Sequence, residues 1–384
     1  MPISLPALKH HIVLVSGQAL PTVLGASLPG SEPSHIHAVV TPGMREASRL
    51  LRRALDSRGR HCTYTEYSLE NNSGQNAMYS VLESIQNACG NESLGVNLTG
   101  GTKLMALAAS EWAFAYDVPA FYIDTAGEQV ITLGREWQYT PLPDVLSVRD
   151  ILIANSFFIE DSDTNPVPAE RRGVLNSLLQ FACTSHGEKA LGHLNRLAEK
   201  AAKANLCVYD DGPFDAAWKN LLKLCIEAGT IQTGNGHVAF SDETARRWCN
   251  GIWFEEYVKM TLYRLKAAQH IKDFAVSVEV RRKGVKNELD ALFSVRNRLF
   301  TIECKTSTMF NNATSQPEKV PSVLYKADSL HDRLGGIFAR AMLCSVRPLD
   351  VVDRERANSL GVRIVCGKDL LSLADKFIAW SKEV

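Results

Sequence analysis

The stretch NELDALFSVRNRLFTIECKTS, residues 287–307, contains two apolar, strand-like runs on either side of the short turn RNR. Side chains two apart on a strand point the same way, so Glu303 and Lys305 share one face, with Cys304 between them. If the runs pair as an antiparallel hairpin, Asp290 near the start of the first meets Glu303 near the end of the second. The sequence therefore predicts two acids and a lysine at one edge of a sheet.

Alternating charged and apolar residues are also typical of an ordinary half-buried strand, so the chemistry of the neighbours must decide. Carboxylate oxygens are the ligands that Mg²⁺ and Mn²⁺ prefer. Such a cation polarises a phosphoryl oxygen and lowers the pKa of bound water, and a lysine can orient or deprotonate that water. Asp290, Glu303 and Lys305 therefore suit metal-dependent phosphodiester cleavage.

The bulk composition favours a globular protein of two or three domains, since the chain has 384 residues and 45% hydrophobic content. Lys and Arg number 42 and Asp and Glu also number 42, so nucleic-acid binding has to come from local patches. The nine cysteines form no CxxC pair. We expect reduced thiols, no signal peptide, no membrane span and a cytoplasmic location.

The first third of the chain alternates strand and helix patterns and predicts a parallel, doubly wound sheet of Rossmann type over residues 1–150. The predicted strands are HIVLVS (11–16), HIHAVVT (35–41), CTYTEYSL (62–69), LGVNLTGG (94–101) and PAFYIDT (119–125). The run EQVITLG, residues 128–134, is expected to add an antiparallel strand. Amphipathic helices are predicted over residues 45–59, 77–89 and 103–117.

Residues 151–240 are predicted to form a helical middle segment after a loop at 162–173. Its helices are followed by TIQTGNGHVAF, residues 230–240, where Asn235 and Gly236 mark a hairpin turn. This order fits a winged-helix-like module and equally a plain helical linker with a β-ribbon. Residues 241–384 form a third predicted domain, which opens with a helix over 243–268 and includes a later helix over 326–336.

The spacing of ELD and ECK in this last domain resembles the core motif of the PD-(D/E)xK nuclease superfamily. The helix carrying GIWFEEYV, residues 251–258, is similar to the first helix of that fold, and Glu288-Leu289 stand where a proline is usual. The resemblance implies Asp290, Glu303, Lys305 and Glu255 as catalytic residues. It also implies Mn²⁺ or Mg²⁺ as the cofactor, with Asp290, Glu303 and Cys304 as the metal set.

Basic residues next to this hairpin have two readings, as phosphate-binding groups or as solvated loop charges. They are Arg281, Arg282, Lys283, Lys286, Arg296 and Arg298. The ten histidines show no pair with the spacing of metal ligands. Those at His10, His11, His35 and His37 begin strands and are interpreted as structural or surface residues.

A Gly-Gly turn follows the fourth predicted strand in NLTGGTKLMALAA, residues 97–109, with Lys103 at the start of the next helix. Free N–H groups at a helix N-terminus beside a lysine make an anion site, and the alternative is a tight turn that only packs helix on strand. The turn and the loop after the first strand together resemble the CARF domain, a sensor of cyclic oligoadenylates. The matching positions are Ser16, Gly17, Gln18, Thr41, Gly43, Thr99, Gly100, Gly101, Thr102 and Lys103.

A CARF sensor followed by a PD-(D/E)xK domain resembles the effector nucleases of type III CRISPR systems. That resemblance implies a homodimer activated by a cyclic oligoadenylate, most often cyclic tetra-adenylate, that cuts DNA or RNA with Mn²⁺ or Mg²⁺. Two other functions stay open. One is a nucleotide-sensing transcription regulator with an inactive nuclease fold, and the other is a restriction- or repair-type nuclease without ligand control.

Overall fold

A computed structural model describes residues 7–59, 62–70, 74–306, 324 and 339–383 of the chain. The chain divides into two compact units. The first comprises residues 1–159 with 296–298 and 384, and the second comprises 160–295 with 299–383. Most of the segment predicted as residues 151–240 thus belongs to the same unit as the predicted nuclease domain. Among the described residues, no helix has both the length and the apolar composition required to cross a membrane.

The first unit contains a seven-stranded sheet in the order β3-β2-β1-β4-β5-β6-β7. Its strands are β1 (His10–Leu14), β2 (His35–Val40), β3 (Thr63–Ser68), β4 (Leu94–Asn97), β5 (Ala120–Asp124), β6 (Gln129–Leu133) and β7 (Gln138–Pro141). The first five are parallel, and β6 and β7 are antiparallel additions. The predicted Rossmann-type fold is confirmed, with β7 as a strand that the pattern did not indicate.

Helices cover both faces of this sheet, as parallel strands require. They are α1 (Leu20–Gly25), α2 (Arg45–Asp56), α3 (Gln75–Cys89), α4 (Lys103–Ala115) and α5 (Val148–Ala154). One core joins the inner side chains of β1 and β4 to those of α3 and α4, with Ile12, Val96 and Trp112 fully buried. The strand order reverses between β1 and β4, and in open α/β sheets this is where ligands bind.

The second unit begins with helices and a small antiparallel sheet. The helices are α6 (Ala169–Ala182), α7 (Ser185–Ala201) and α8 (Ala216–Glu227), and the strands are β9 (Cys207–Tyr209), β10 (Ile231–Gly234) and β11 (His237–Phe240). The predicted hairpin is present, since β10 pairs antiparallel with β11 and the turn residues Asn235 and Gly236 both have positive φ. Strand β9 pairs with the other side of β11. Helix α6 begins at Ala169, inside the predicted loop. It shares a hydrophobic core with the six-stranded sheet that forms later in the chain.

A six-stranded sheet, most of whose residues belong to this unit, has the order β16-β15-β14-β13-β12-β8. Its strands are β8 (Phe158–Asp161), β12 (Asp273–Arg282), β13 (Val285–Val295), β14 (Arg298–Lys305), β15 (Ala339–Ser345) and β16 (Val362–Cys366). Strands β13 and β14 are neighbours, joined at Arg296 and Asn297, whose φ values of 53° and 57° fit the tight hairpin turn. The rings of Phe293 and Phe300, one on each strand of this hairpin, stack with their centroids 4.6 Å apart.

The helix predicted over residues 243–268 is interrupted, and this interruption positions the site. Helix α9 (Glu243–Arg247) passes through a π-helical turn, Trp248–Ile252, into α10 (Trp253–Ala267). Gly251 has a φ of 133°, and a Cβ there would lie 2.7 Å from Thr306 Oγ1 just after β14. Glycine therefore lets the helix approach the end of β14, which brings the first turn of α10 beside the predicted acids.

Two further helices lie in the described part of this unit, α11 (Val351–Ser359) and α12 (Leu373–Lys382). Helix α12 carries Phe377 and Trp380 into the core against Phe293. The sequence pattern did not indicate α12. The helix predicted over residues 326–336 lies outside the described residues.

Candidate functional site

The hairpin of β13 and β14 brings three predicted catalytic side chains together. The backbone N–H of Cys304 donates to Asp290 Oδ2 at 2.7 Å, which fixes the carboxylate against the neighbouring strand. Lys305 Nζ lies 2.7 Å from Glu303 Oε1 and 3.5 Å from Asp290 Oδ2. All three side chains are partly buried. Two carboxylates and one ammonium group thus share a face at the end of β14.

Glu255 is the fourth predicted catalytic residue, and α10 supplies it from its first turn. Ser277 Oγ on β12 lies 3.5 Å from Glu255 Oε2. Burial, followed by the charge of Asp290, raises the pKa of Glu255 to about 8, and Lys305 opposes this rise. The site therefore concentrates more negative charge than its lysine neutralises.

Lys305 is held as a cation in this arrangement. Burial by itself would lower its pKa, but the carboxylates of Asp290 and Glu303 outweigh burial and raise the pKa above its usual value. A permanently protonated lysine donates hydrogen bonds and carries positive charge, but it has no lone pair with which to accept a proton. Of the two roles predicted for it, this protonated form supports the orienting of water.

The predicted metal ligand Cys304 presents two different groups. Its thiol is buried in the core of the unit, where burial raises its pKa far above the ordinary value. Its carbonyl oxygen is separate from the thiol and accepts a hydrogen bond from Lys305 Nζ at 3.0 Å. The prediction that Cys304 binds metal can therefore apply only to the carbonyl oxygen.

Two residues near this site were not predicted. Glu288 also raises the pKa of Glu255, and its position two residues before Asp290 on one strand was a signal that the sequence offered. Ser277 has a φ of 47° and lies between residues of β12 that pair with the two neighbours of Asp290. A non-glycine residue in that conformation costs about 1–3 kcal/mol and is found most often at functional sites. No pattern in the sequence indicated it.

The residues present fit a divalent cation of the Mg²⁺ or Mn²⁺ class. The candidate donors are oxygens, from the side chains of Asp290 and Glu303 and the carbonyl of Cys304, and hard cations prefer oxygen. Burial is the first cause of the raised pKa of Glu255 and the charge of Asp290 is the second, and a bound cation would offset the second.

The basic residues around the hairpin form ion pairs with carboxylates. Arg281 pairs with Glu160 and Lys286 with Glu279. Arg296 and Arg298 both pair with Glu128, and Arg298 is buried. These contacts favour the structural reading of the four residues over phosphate binding. Lys283 is exposed on the loop before β13.

The Gly-Gly turn after β4 has the geometry of a close backbone approach. A Cβ on Gly100 would lie 2.0 Å from the carbonyl oxygen of Leu14, and Gly101 has a φ of 74°. Thr102 caps α4, since its hydroxyl accepts a hydrogen bond from the N–H of Met105 at 3.2 Å. Lys103 follows in the first turn of α4 and is exposed. The turn therefore packs against β1 and also presents a helix N-terminus with a lysine to solvent.

A cleft of about 700 Å³ opens beside this turn. Three of the predicted ligand residues line it, Thr41, Thr102 and Lys103. Its other walls come from residues 69–70, from residues 74–78 and from α4, including Glu70, Gln75, Leu104, Leu107 and Glu111. Gln75 Nε2 donates to Glu111 Oε2 at 2.6 Å across the cleft. These α3 and α4 residues were not predicted.

The remaining predicted ligand residues lie at the ends of the same strands. Ser16, Gly17 and Gln18 follow β1, and the Ser16 hydroxyl donates to the carbonyl oxygen of Gln18. Gly43 follows β2 and is exposed. Thr99 has structural partners, because its hydroxyl donates to Asn97 Oδ1 at 2.6 Å and accepts from the N–H of Ile123 at 2.8 Å. Its hydroxyl joins β4 to β5.

Comparison with known families matches each unit separately. Residues 10–151 match the Card1 CARF domain, and residues 242–384 match the Card1-like endonuclease domain. None of the curated proteins matches the sequence.

Solved structures resemble the chain over nearly its full length. The crystal structure of protein VC1899 from Vibrio cholerae is 25% identical with a TM-score of 0.83, covering 97% of this chain and 98% of that one. Can2 from Sulfobacillus thermosulfidooxidans, solved in complex with cyclic tetra-adenylate, is 25% identical with a TM-score of 0.77, covering 97% and 99%. A type III CRISPR defence DNA nuclease activated by cyclic oligoadenylate shares the fold at 18% identity and TM-score 0.54, over 94% of this chain and 51% of that one.

Proposed function

Because this chain belongs to the CARF-domain nucleases, with a Card1-type CARF domain followed by a Card1-like endonuclease domain, we propose that it is a metal-dependent nuclease activated by cyclic oligoadenylate. The proposal extends to type III CRISPR antiviral defence, as the resemblance to CARF-domain effector nucleases implies. The observation that carries it is the cluster of Asp290, Glu303 and Lys305 at the end of β14.

The chain's own residues have separate tasks in this reaction. Asp290, Glu303 and the carbonyl of Cys304 would hold Mn²⁺ or Mg²⁺, and the ion would supply polarisation of the phosphate and a lowered pKa of bound water. Lys305 donates to the attacking water or to a phosphoryl oxygen and offsets the negative charge that develops there. Glu255 can take up or release a proton near neutral pH, which suits a group that accepts a proton from water.

The activator is proposed to bind at the Gly-Gly turns of two subunits. Helix α4 carries Leu104, Leu107 and Phe114 on one face, and these apolar side chains are 78%, 66% and 68% exposed. Such a stripe is costly to leave in water and suits burial against a second copy of the chain. Lys103 adjoins the stripe, so a two-fold axis along it brings two lysines and two helix N-termini to one ligand.

Cyclic tetra-adenylate is the proposed ring, because Can2 binds it and a two-fold symmetric ring suits a two-fold site. Lys103, with the N–H groups at the start of α4, would contact its phosphates. Glu70, Gln75 and Glu111 lie farther along the cleft and would accept hydrogen bonds from ribose hydroxyls or adenine amino groups. Activation requires that the ring bind the cleavage-competent arrangement more tightly than the resting one.

One assay separates this function from its alternatives. The protein is incubated with plasmid DNA, single-stranded DNA and RNA plus Mn²⁺, with and without cyclic tetra-adenylate, and Asp290→Ala serves as the catalytic control. Cutting that depends on the ring supports the proposal and identifies the substrate. Cutting without the ring would indicate a restriction- or repair-type nuclease. Specific duplex binding without cutting would indicate a transcription regulator.

A further inference from the structure

The first unit contains a second cluster of side chains whose types can bind metal ions. It lies at the amino ends of the parallel strands, opposite the Gly-Gly turn. His10 begins β1, His37 lies in β2 and Cys89 ends α3. All three are buried, and their ligand atoms lie within 4.8 Å of one another. His10 Nδ1 is 2.9 Å from His37 Nε2, and Cys89 Sγ is 3.5 Å from that same nitrogen. Three soft or borderline donors therefore converge on one point.

The outer nitrogen of each imidazole is already held by another residue. His10 Nε2 lies 2.6 Å from Glu92 Oε2, and the other oxygen of that carboxylate is 3.0 Å from Lys9 Nζ. His37 Nδ1 lies 3.3 Å from the hydroxyl of Tyr67. A metal-binding histidine characteristically donates its second ring N–H to a carboxylate or another oxygen, which fixes the tautomer and aims the free nitrogen at the metal. Both histidines have this arrangement.

The packing around the cluster fixes the rings. His35 stacks on His37 with ring centroids 4.1 Å apart and an angle of 4° between the planes, and its Nε2 bonds to Thr65 Oγ1. Parallel pairing of β1 with β2 places His10 beside His35 and Ile12 beside His37, so the rings share one face of the sheet.

We propose that His10 Nδ1, His37 Nε2 and Cys89 Sγ bind one transition-metal ion of the Zn²⁺ class, with water in the fourth position. Zinc takes imidazole nitrogen and thiolate sulfur in tetrahedral sites, and this set of two histidines and a cysteine supplies both. Carboxylate-bound Mg²⁺ or Mn²⁺ at the nuclease site needs oxygen donors, so the two sites select different ions.

The protons balance simply. In the metal-free cluster one N–H forms the hydrogen bond between His10 Nδ1 and His37 Nε2, and Cys89 carries a thiol proton. On binding, the proton of a neutral His37 moves from Nε2 to Nδ1 and is donated to the Tyr67 oxygen. The proton of a neutral His10 stays on Nε2 toward Glu92, and Cys89 releases one proton to solvent. Metal binding therefore releases one proton for each ion bound at neutral pH.

The role of this ion is structural. Its ligands join β1, β2 and α3 at the amino ends of the parallel strands, whereas the predicted ligand residues lie beyond the carboxyl ends. A metal that binds the folded state and not the unfolded chain stabilises the fold by mass action. The ion would thus hold the base of the sensor sheet without touching the activator or the nucleic acid.

The test uses Co²⁺ as a spectroscopic probe on the full-length chain in an Asp290→Asn background, which weakens the nuclease site. Protein that has been freed of bound metal with a chelator is titrated with CoCl₂. A thiolate-to-cobalt charge-transfer band and tetrahedral ligand-field bands should saturate at one ion per chain and disappear on addition of Zn²⁺. Absence of the thiolate band would overturn the proposal whatever the variants do, since this protein has an unaltered cluster.

Variants then assign the ligands. Cys89→Ser should abolish the charge-transfer band, and His37→Gln should weaken Co²⁺ binding at least about 10-fold. Glu92→Gln removes an outer partner and should weaken it by about 10-fold as well. The matched control is Cys62→Ser, which alters a half-buried cysteine of the same unit outside the cluster and should keep the band. A band lost in Cys62→Ser and kept in Cys89→Ser would refute the assignment.

Discussion

The clearest test of the nuclease site is Asp290→Asn, because this change should remove activity and increase stability together. Asparagine keeps an oxygen that can accept the hydrogen bond from the N–H of Cys304, now 2.7 Å from Asp290 Oδ2. It removes one negative charge from a group in which Glu255 already has a pKa of about 8. Lys305 retains Glu303 as a partner at 2.7 Å.

The pH dependence follows from the direction of the Glu255 shift. An acid whose pKa is raised on folding contributes full stability below its unfolded pKa, here 4.5, and loses it as pH rises through about 8. At about 1.4 kcal/mol per pH unit, ionised Glu255 costs the metal-free fold up to about 5 kcal/mol. Burial is the larger cause of the Glu255 pKa shift and the charge of Asp290 is the second. Asp290→Asn should therefore recover only a smaller part of that free energy of unfolding, on the order of 1 kcal/mol.

The measurement is urea unfolding of the metal-free protein at pH 5 and pH 9, together with cleavage in Mn²⁺. The variant should gain free energy of unfolding over the wild type at pH 9, gain less at pH 5, and have no cleavage activity. Asp290→Ala is the matched control, because it also removes the acceptor for the N–H of Cys304 and should cost about 1–3 kcal/mol relative to Asp290→Asn. An Asp290→Asn protein less stable than wild type at pH 9 would refute the charge-crowding explanation.

Four further predictions concern the site and the sensor. Lys305→Ala should lower single-turnover cleavage by about 10²-fold with little change in substrate affinity, because it removes a transition-state donor, and equal losses in both would make Lys305 an ordinary backbone contact. Lys103→Glu should abolish activation by cyclic tetra-adenylate in the cleavage assay, and calorimetry on the wild type should give one ring per two chains; one ring per chain would contradict a shared pocket. Leu107→Asp should produce monomers in sedimentation while leaving the fold intact by circular dichroism, and an unchanged dimer would exclude the α4 face as the interface. Gly100→Ala should distort the turn, because its Cβ would meet the carbonyl oxygen of Leu14, so ring binding should weaken more than in Gly43→Ala, where the Cβ meets nothing within 4 Å.

Much of the fold and of the nuclease site could be predicted from local patterns. Five strand patterns, the last four of them separated by helical patterns, predict a doubly wound sheet, because strand and helix periods differ and connections in such folds are right-handed and short. The hairpin was also predictable, since two strand patterns joined by a short turn have one simple pairing. That pairing fixes the partners of Asp290, and the observed contact with Cys304 agrees with it.

Other features depended on contacts between distant parts of the chain. The apolar periodicity of residues 243–268 does not reveal the break at Gly251, which exists because Thr306 packs there. Nor does the spacing of the acids fix the pKa of Glu255, since burial of its side chain is the main cause of the shift. The protonated state of Lys305 is likewise a property of the assembled cluster.

The histidine cluster shows most clearly the difference between what local sequence predicts and what the packing of distant segments decides. By sequence His10, His37 and Cys89 are separated by 27 and 52 residues, and no ligand spacing connects them. Parallel pairing of β1 with β2 places the two histidines on one face, and the end of α3 then adds the cysteine. Local residue preference determines which segments become strands and helices. Only the packing of those segments decides which side chains meet, because burial and distance are properties of the whole fold.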